Sequence, residues 1–63
     1  MTIRKYGDRV EVKMEGNDLC VYQDGKLVEK FNEMSDDYAF TNAASFARNL
    51  EWKLKQENKN VQE

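Results

Sequence analysis

The chain has 63 residues, a net charge of −2 from 10 basic and 12 acidic side chains, one cysteine and no histidine. This length supports one small domain with a limited core. The composition excludes an internal disulfide and a zinc site built from cysteine and histidine. No apolar run approaches the ~18 residues of a membrane span, the near-neutral charge does not favour a general nucleic-acid binder, and a lone thiol indicates a reducing, cytoplasmic setting.

The first half of the chain alternates apolar and polar residues and is divided by glycine-containing turns. Asp24-Gly25 is the strongest hairpin signal, because a type I′ turn needs positive φ at both central positions. The pattern predicts a three- to four-stranded antiparallel meander with strands at Met1–Tyr6, Arg9–Glu15, Leu19–Gln23 and Lys26–Phe31.

Two-residue loops at Gly7-Asp8, Gly16-Asn17 and Asp24-Gly25 predict which side chains share a face, since directly opposed residues point the same way. The face expected to be covered carries Ile3, Val10, Val12, Met14, Leu19, Val21 and Val28. The opposite face mixes charged and apolar side chains: Arg4, Tyr6, Arg9, Glu11, Lys13, Cys20, Tyr22, Leu27, Glu29 and Phe31.

The second half predicts one long helix from Ser35 to about Gln56. Ser35 is the expected N-cap, followed by Asp36 and Asp37 in the first turn, and Thr41 is a rival N-cap. At 100° per residue, one stripe of the helix faces the sheet: Ala39, Ala43, Phe46, Ala47, Leu50 and Leu54. We therefore expect a ββββα fold of the α+β class, with a single domain over residues 1–57 and a frayed polar tail over 58–63.

Catalytic constellations are not apparent in the sequence. Cys20 lies mid-strand without a histidine to activate it, and the paired carboxylates Asp36-Asp37 and Glu15 near Asp18 fit capping and turn roles. The isolated glycines do not build a phosphate-binding loop. We expect a protein that is not an enzyme and has no cofactor, metal or small-molecule substrate.

Two sets of side chains indicate contact with another protein or with a second copy in a homodimer. Trp52 and Arg48 point away from the core stripe, and these residue types dominate interface hot spots, although Trp52 could instead lie over Arg48 on its own helix. Tyr22, Leu27 and Phe31 form an apolar cluster on the uncovered sheet face, unless Phe31 turns under the helix.

A basic set on the same sheet face supports an alternative function. Arg4, Arg9 and Lys13, with Tyr22 alongside, could contact DNA, although Glu11 opposite Arg4 and Glu15 near Lys13 favour a solvated face. The layout of Gly7-Asp8-Arg9-Val10-Glu11-Val12, Asp24-Gly25-Lys26, and Phe31 leading to a helix with Ala43, Phe46 and Leu50 resembles the arm-binding domains of tyrosine recombinases. That resemblance implies that the sheet face away from the helix would enter the major groove.

The function predicted from the sequence is non-enzymatic binding of another protein. The small size suggests an inhibitor or adaptor of phage or mobile-element origin. DNA binding through the exposed sheet face is the alternative.

Overall fold

A computed structural model describes residues 2 to 61, with side chains described for residues 2 to 57. Four antiparallel strands form an open meander in the order β1-β2-β3-β4, and one C-terminal helix packs on one face of the sheet. The predicted ββββα fold is confirmed. The elements are β1 (Thr2–Tyr6), β2 (Val10–Glu15), β3 (Asp18–Gln23), β4 (Lys26–Asn32) and α1 (Ala39–Val61); Met1 of the predicted first strand lies outside the described residues.

The central hairpin of β2 and β3 has the register that the alternation predicts. Met14 lies opposite Leu19, and Val12 lies opposite Val21. The next turn is also as predicted, because Asp24 and Gly25 have φ of 54° and 82°, the two positive values that a type I′ turn requires.

The face assignment of β1 is wrong in part. Gly7, Asp8 and Arg9 form a three-residue turn, so Tyr6 lies opposite Val10 and Arg4 lies opposite Val12. Arg4 and Tyr6 therefore lie on the helix side of the sheet. A bulge between Thr2 and Arg4 leaves Ile3 43% exposed at the margin of that side, because the extra residue breaks the two-residue period of the strand.

The face assignment of β4 is also wrong in part, because this strand contains an extra residue as β1 does. Tyr22 lies opposite Leu27 as predicted, but a register shift at Val28 places Val21 opposite Glu29 and Leu19 opposite Phe31. Beyond the shift the two faces are exchanged. Phe31 and Glu29 are therefore on the helix side, and Val28 is 43% exposed instead of lying in the core.

The helix begins four residues later than predicted, and Ser35 is not its N-cap. Asn32 Oδ1 accepts hydrogen bonds from the backbone N–H groups of Met34 (2.9 Å) and Ser35 (3.2 Å), which holds this segment in a turn. Asp36 then organises the helix start. Its Oδ1 accepts a hydrogen bond from the backbone N–H of Tyr38 at 2.9 Å, and its Oδ2 accepts one from Asn42 Nδ2 at 2.7 Å.

The helix also continues beyond Gln56, to Val61. The fraying predicted for residues 58–63 concerns mobility and stays a prediction, and residues 62 and 63 lie outside the described residues.

The core forms where the alanine stripe of α1 meets the valine face of the sheet. Val12 is 5% exposed, and Val21 and Ala47 are fully buried, so the predicted packing of these two elements is confirmed. The buried cluster contains Tyr6, Val10, Val12, Leu19, Val21, Ala39, Ala43, Ala47 and Leu54, with Met14, Phe31, Phe46 and Leu50 packed against it.

Candidate protein-contact surfaces

The outer face of α1 carries a small aromatic and basic surface, which we call the helix patch. Ser45, Arg48, Asn49 and Trp52 line a shallow concavity, and Trp52 is 62% exposed. The cation–π contacts among the described residues are made by Arg4 and Lys13, not by Arg48. The indole of Trp52 therefore presents its surface to solvent, as the sequence predicts, without the internal cation–π contact that would explain it locally.

The outer sheet face, the side away from α1, is a network of paired polar groups. Arg9 and Asp24 form two parallel hydrogen bonds of 2.9 and 2.7 Å; the bond from Arg9 lowers the pKa of Asp24. Tyr22 donates its hydroxyl hydrogen to Glu15 at 2.8 Å, and this bond raises the pKa of Tyr22. Such mutual pairing on an exposed face is typical of a solvated sheet surface.

Cys20 lies within this face but is not accessible. Its side chain is 1% exposed between Lys13 on β2 and Lys30 on β4, and burial raises the pKa of the thiol. A thiol that is buried and held protonated is a poor nucleophile. This placement fits a packing role for Cys20.

The predicted apolar cluster of the outer sheet face is not brought together. Tyr22 and Leu27 are direct neighbours there, and Leu27 is 47% exposed. Phe31 lies on the other side of the sheet, where its ring contacts Phe46 with 6.0 Å between centroids. Two of the three predicted cluster members therefore remain on this face, and the third is part of the core margin.

The basic set of the alternative DNA-binding hypothesis is also divided. Arg4 lies on the helix side, with its guanidinium 5.2 Å from the centroid of the Tyr6 ring. Arg9 is paired with Asp24, and the Lys13 ammonium lies 5.0 Å from the centroid of the Tyr22 ring. Of the predicted set, the outer sheet face therefore keeps Lys13 as a cation without an ion pair among the described residues, while Arg4 lies on the other side and the charge of Arg9 is balanced by Asp24.

A second apolar surface, which sequence reasoning missed, is the β1 groove between β1 and the first half of α1. Its volume is about 300 Å³, and Phe40 at its margin is 53% exposed. On a helical wheel Phe40 lies about 80° from Leu50, at the edge of the core stripe. This position in the sequence pattern could have indicated that Phe40 lies at the margin of the helix–sheet contact. The groove is lined by Ile3, Arg4, Tyr6, Val12, Leu19, Phe40, Thr41, Ala43 and Ala44.

Comparison with known proteins finds no matching family model, no matching curated protein and no matching solved structure. The resemblance to recombinase arm-binding domains stays a prediction from the sequence. Within the described part of the chain, no group of three or more potential metal ligands lies together. Over the same residues, α1 is not apolar enough to cross a membrane.

Proposed function

We propose that this chain is a small protein-binding module and that the helix patch holds its partner. The observation that carries the proposal is the position of Trp52, which is 62% exposed beside Arg48 in one concavity. An indole left in water gains stabilisation when a partner covers it, and tryptophan with arginine supplies much of the binding free energy in protein interfaces. An adaptor or inhibitor role in the cytoplasm fits this surface.

The geometry of the outer sheet face favours protein binding over DNA binding. The cations proposed for DNA contact are split between two faces or engaged by Asp24 and Tyr22. The helix patch needs no rearrangement, because its side chains already project from about two turns of a helix that is anchored by Ala47 and Leu54.

The experiment is affinity capture from the native host with the tagged chain, compared with two variants. Trp52→Ala removes the anchor, and Met34→Ala is the matched control, because Met34 is an apolar side chain that is 78% exposed outside the helix patch. We expect Trp52→Ala to lose the captured protein and Met34→Ala to retain it, with both variants folded by circular dichroism. Equal capture by Trp52→Ala and the unmodified chain would refute the helix patch as the site.

Capture should also be tested at low and high salt. A protein complex centred on a buried indole should respond weakly to salt, whereas DNA-mediated capture should fall steeply as counterion release is lost. Loss of the captured protein at 0.5 M salt or on nuclease treatment would favour the DNA alternative.

A further inference from the structure

We infer that the free edge of β1, together with the β1 groove, binds an extended acidic segment of a partner protein as a fifth strand. The inference rests on the proposed function in one respect, that the chain is a protein-binding module. It concerns a different surface, because Phe40 and Trp52 are separated by about 18 Å along the helix axis. A chain with two such surfaces would act as an adaptor.

The position of β1 in the sheet supplies the first observation. β1 is the first strand in the order β1-β2-β3-β4, so only one of its two edges is paired with a strand. A free edge offers backbone N–H and C=O groups for pairing with an added strand. The helix packs mainly over β2, β3 and β4, which leaves the space beside β1 open.

The groove beside this edge supplies the second observation. Its lining is mainly apolar, and Ile3 and Phe40 are half-exposed at its margins. Side chains of a strand paired with β1 would alternate between the two sheet faces, so those on the helix side would lie beside this groove. An apolar side chain there would cover Ile3 and Phe40 together.

Charge identifies the kind of segment that fits. Arg4 and Lys5 are the charged residues of β1, and neither forms an ion pair within the described part of the chain. Arg4 is also the one charged side chain in the lining of the groove. Arg4 points to the helix side and Lys5, opposite Glu11, points to the outer side, so a strand with carboxylates on both faces would meet both cations, and complementary charges across paired strands are stabilising.

The same charges argue against a second copy as the occupant. Antiparallel pairing of two β1 edges about their charged residues would place Arg4 opposite Arg4, Arg4 opposite Lys5 or Lys5 opposite Lys5, according to the register, and like charges in opposition are destabilising. The other sheet edge, β4, carries Lys26 and Lys30 against Glu29, so it offers no acidic complement either. The edge is therefore suited to a foreign acidic strand.

The test uses synthetic seven-residue peptides, titrated to millimolar concentration into the ¹⁵N-labelled chain. Each has two adjacent charged residues at its centre, which point to opposite faces as Arg4 and Lys5 do, and valine or leucine at the flanking positions. We expect saturable amide shifts in Thr2–Tyr6 and in residues 40–44 with the glutamate peptide. The matched lysine peptide should bind at least about tenfold more weakly. A glutamate peptide with every backbone nitrogen methylated should not bind, because methylation then removes the pairing donors of both edges.

Charge reversal on the chain tests the inference by a gain of binding, which an unfolded variant could not show. In the double variant Arg4→Glu with Lys5→Glu, the preference should switch to the lysine peptide. Phe40→Ala should weaken binding of the glutamate peptide, and Met34→Ala should leave it unchanged. Trp52→Ala should also bind the glutamate peptide as the unmodified chain does, so failure at the helix patch and failure at β1 are distinguishable.

Several results would overturn the inference. These are no saturable shift at millimolar peptide, equal affinity for the lysine peptide, and shifts confined to β4 or the helix patch. Concentration-dependent shifts of β1 without peptide would identify a second copy as the occupant. Comparable shifts of β1 with a short duplex oligonucleotide would show that Arg4 and Lys5 bind polyanions in general.

Discussion

The ring of Phe31 on β4 meets the ring of Phe46 on α1 edge to face, with 6.0 Å between centroids and 62° between the ring planes. This contact exists because the register shift at Val28 turns Phe31 toward the helix. Edge-to-face aromatic pairs stabilise by about 0.5–1.5 kcal/mol beyond the area that they bury. The pair therefore stabilises the packing of the edge strand β4 against the helix.

Replacement of Phe31 should therefore destabilise the fold, whereas replacement of its neighbour Leu27 should not. We expect Phe31→Ala to lower the free energy of unfolding by about 2–3 kcal/mol, since a half-buried phenylalanine loses part of the full core value. Leu27→Ala, at a side chain that is 47% exposed, should change it by less than about 0.5 kcal/mol. Urea denaturation of both variants measures the difference, and equal effects would place Phe31 on the outer sheet face.

The start of the helix should depend on Asp36 and not on Ser35. Asp36→Ala removes the acceptor of the Tyr38 N–H and of Asn42 Nδ2, so we expect a loss of about 1 kcal/mol. Ser35→Ala should alter stability by less than about 0.5 kcal/mol. Thermal denaturation followed by the helical circular dichroism signal compares the two, and a larger effect of Ser35→Ala would restore Ser35 as the N-cap.

The pair between Arg9 and Asp24 should make stability depend on acidic pH. The hydrogen bond from Arg9 holds the folded-state pKa of Asp24 below its ordinary value of 3.8. A carboxylate with a lowered folded-state pKa stabilises the protein above its unfolded-state pKa, and this contribution is lost as pH falls through the folded-state pKa. The affected window is therefore about pH 4 and below.

Asp24→Asn is the appropriate variant, because asparagine also tolerates the positive φ of this turn position. Urea denaturation at pH values from 5 down to 2.5 should show a shallower loss of stability for the variant than for the unmodified chain. Parallel curves would contradict the assigned role of the pair.

The thiol of Cys20 should be protected in the folded chain. Burial excludes reagents and raises the pKa of the thiol, and the thiolate is the reactive form. We expect its reaction with a chromogenic disulfide reagent at pH 8 to be about 100-fold or more slower in the native chain than in urea. The chain contains one cysteine, so the signal is unambiguous; similar rates in both conditions would show that the sheet does not cover Cys20.

The regular parts of this fold were predictable from local patterns. Val12 and Val21 follow the strand alternation, Asp24-Gly25 carries the conformational preference of its turn, and the alanine stripe follows the helical period. Each of these signals depends on residues near one another in sequence, so no knowledge of the packed structure is needed to interpret them.

The face errors occur in the two edge strands, at the three-residue turn after Tyr6 and at the two register shifts. Leu27 and Phe31 are four residues apart, so a regular strand would place them on one face, yet the shift at Val28 puts them on opposite faces. Val28 and Phe31, like Ile3 and Tyr6, are apolar residues three positions apart, which a regular strand would place on opposite faces. That spacing permits a bulge, but packing against the helix decides whether it forms.

The candidate surfaces were predictable to different degrees. The exposure of Trp52 follows from the helical period and is confirmed, whereas the β1 groove depends on the three-residue turn after Tyr6 and on the bulge at Ile3. Neither feature has a unique sequence signature, since Gly7-Asp8 also fits a two-residue loop. The groove therefore required the three-dimensional structure.

The central claim, that Trp52 is the partner-binding anchor, is tested most directly by fluorine NMR. The chain has one tryptophan, so incorporation of 5-fluorotryptophan gives a single ¹⁹F resonance from the helix patch. Addition of the captured, unlabelled partner should shift this resonance and make it insensitive to exchange of H₂O for D₂O, because the indole leaves solvent. A complex that forms while the resonance keeps its free position and its solvent sensitivity would contradict the claim.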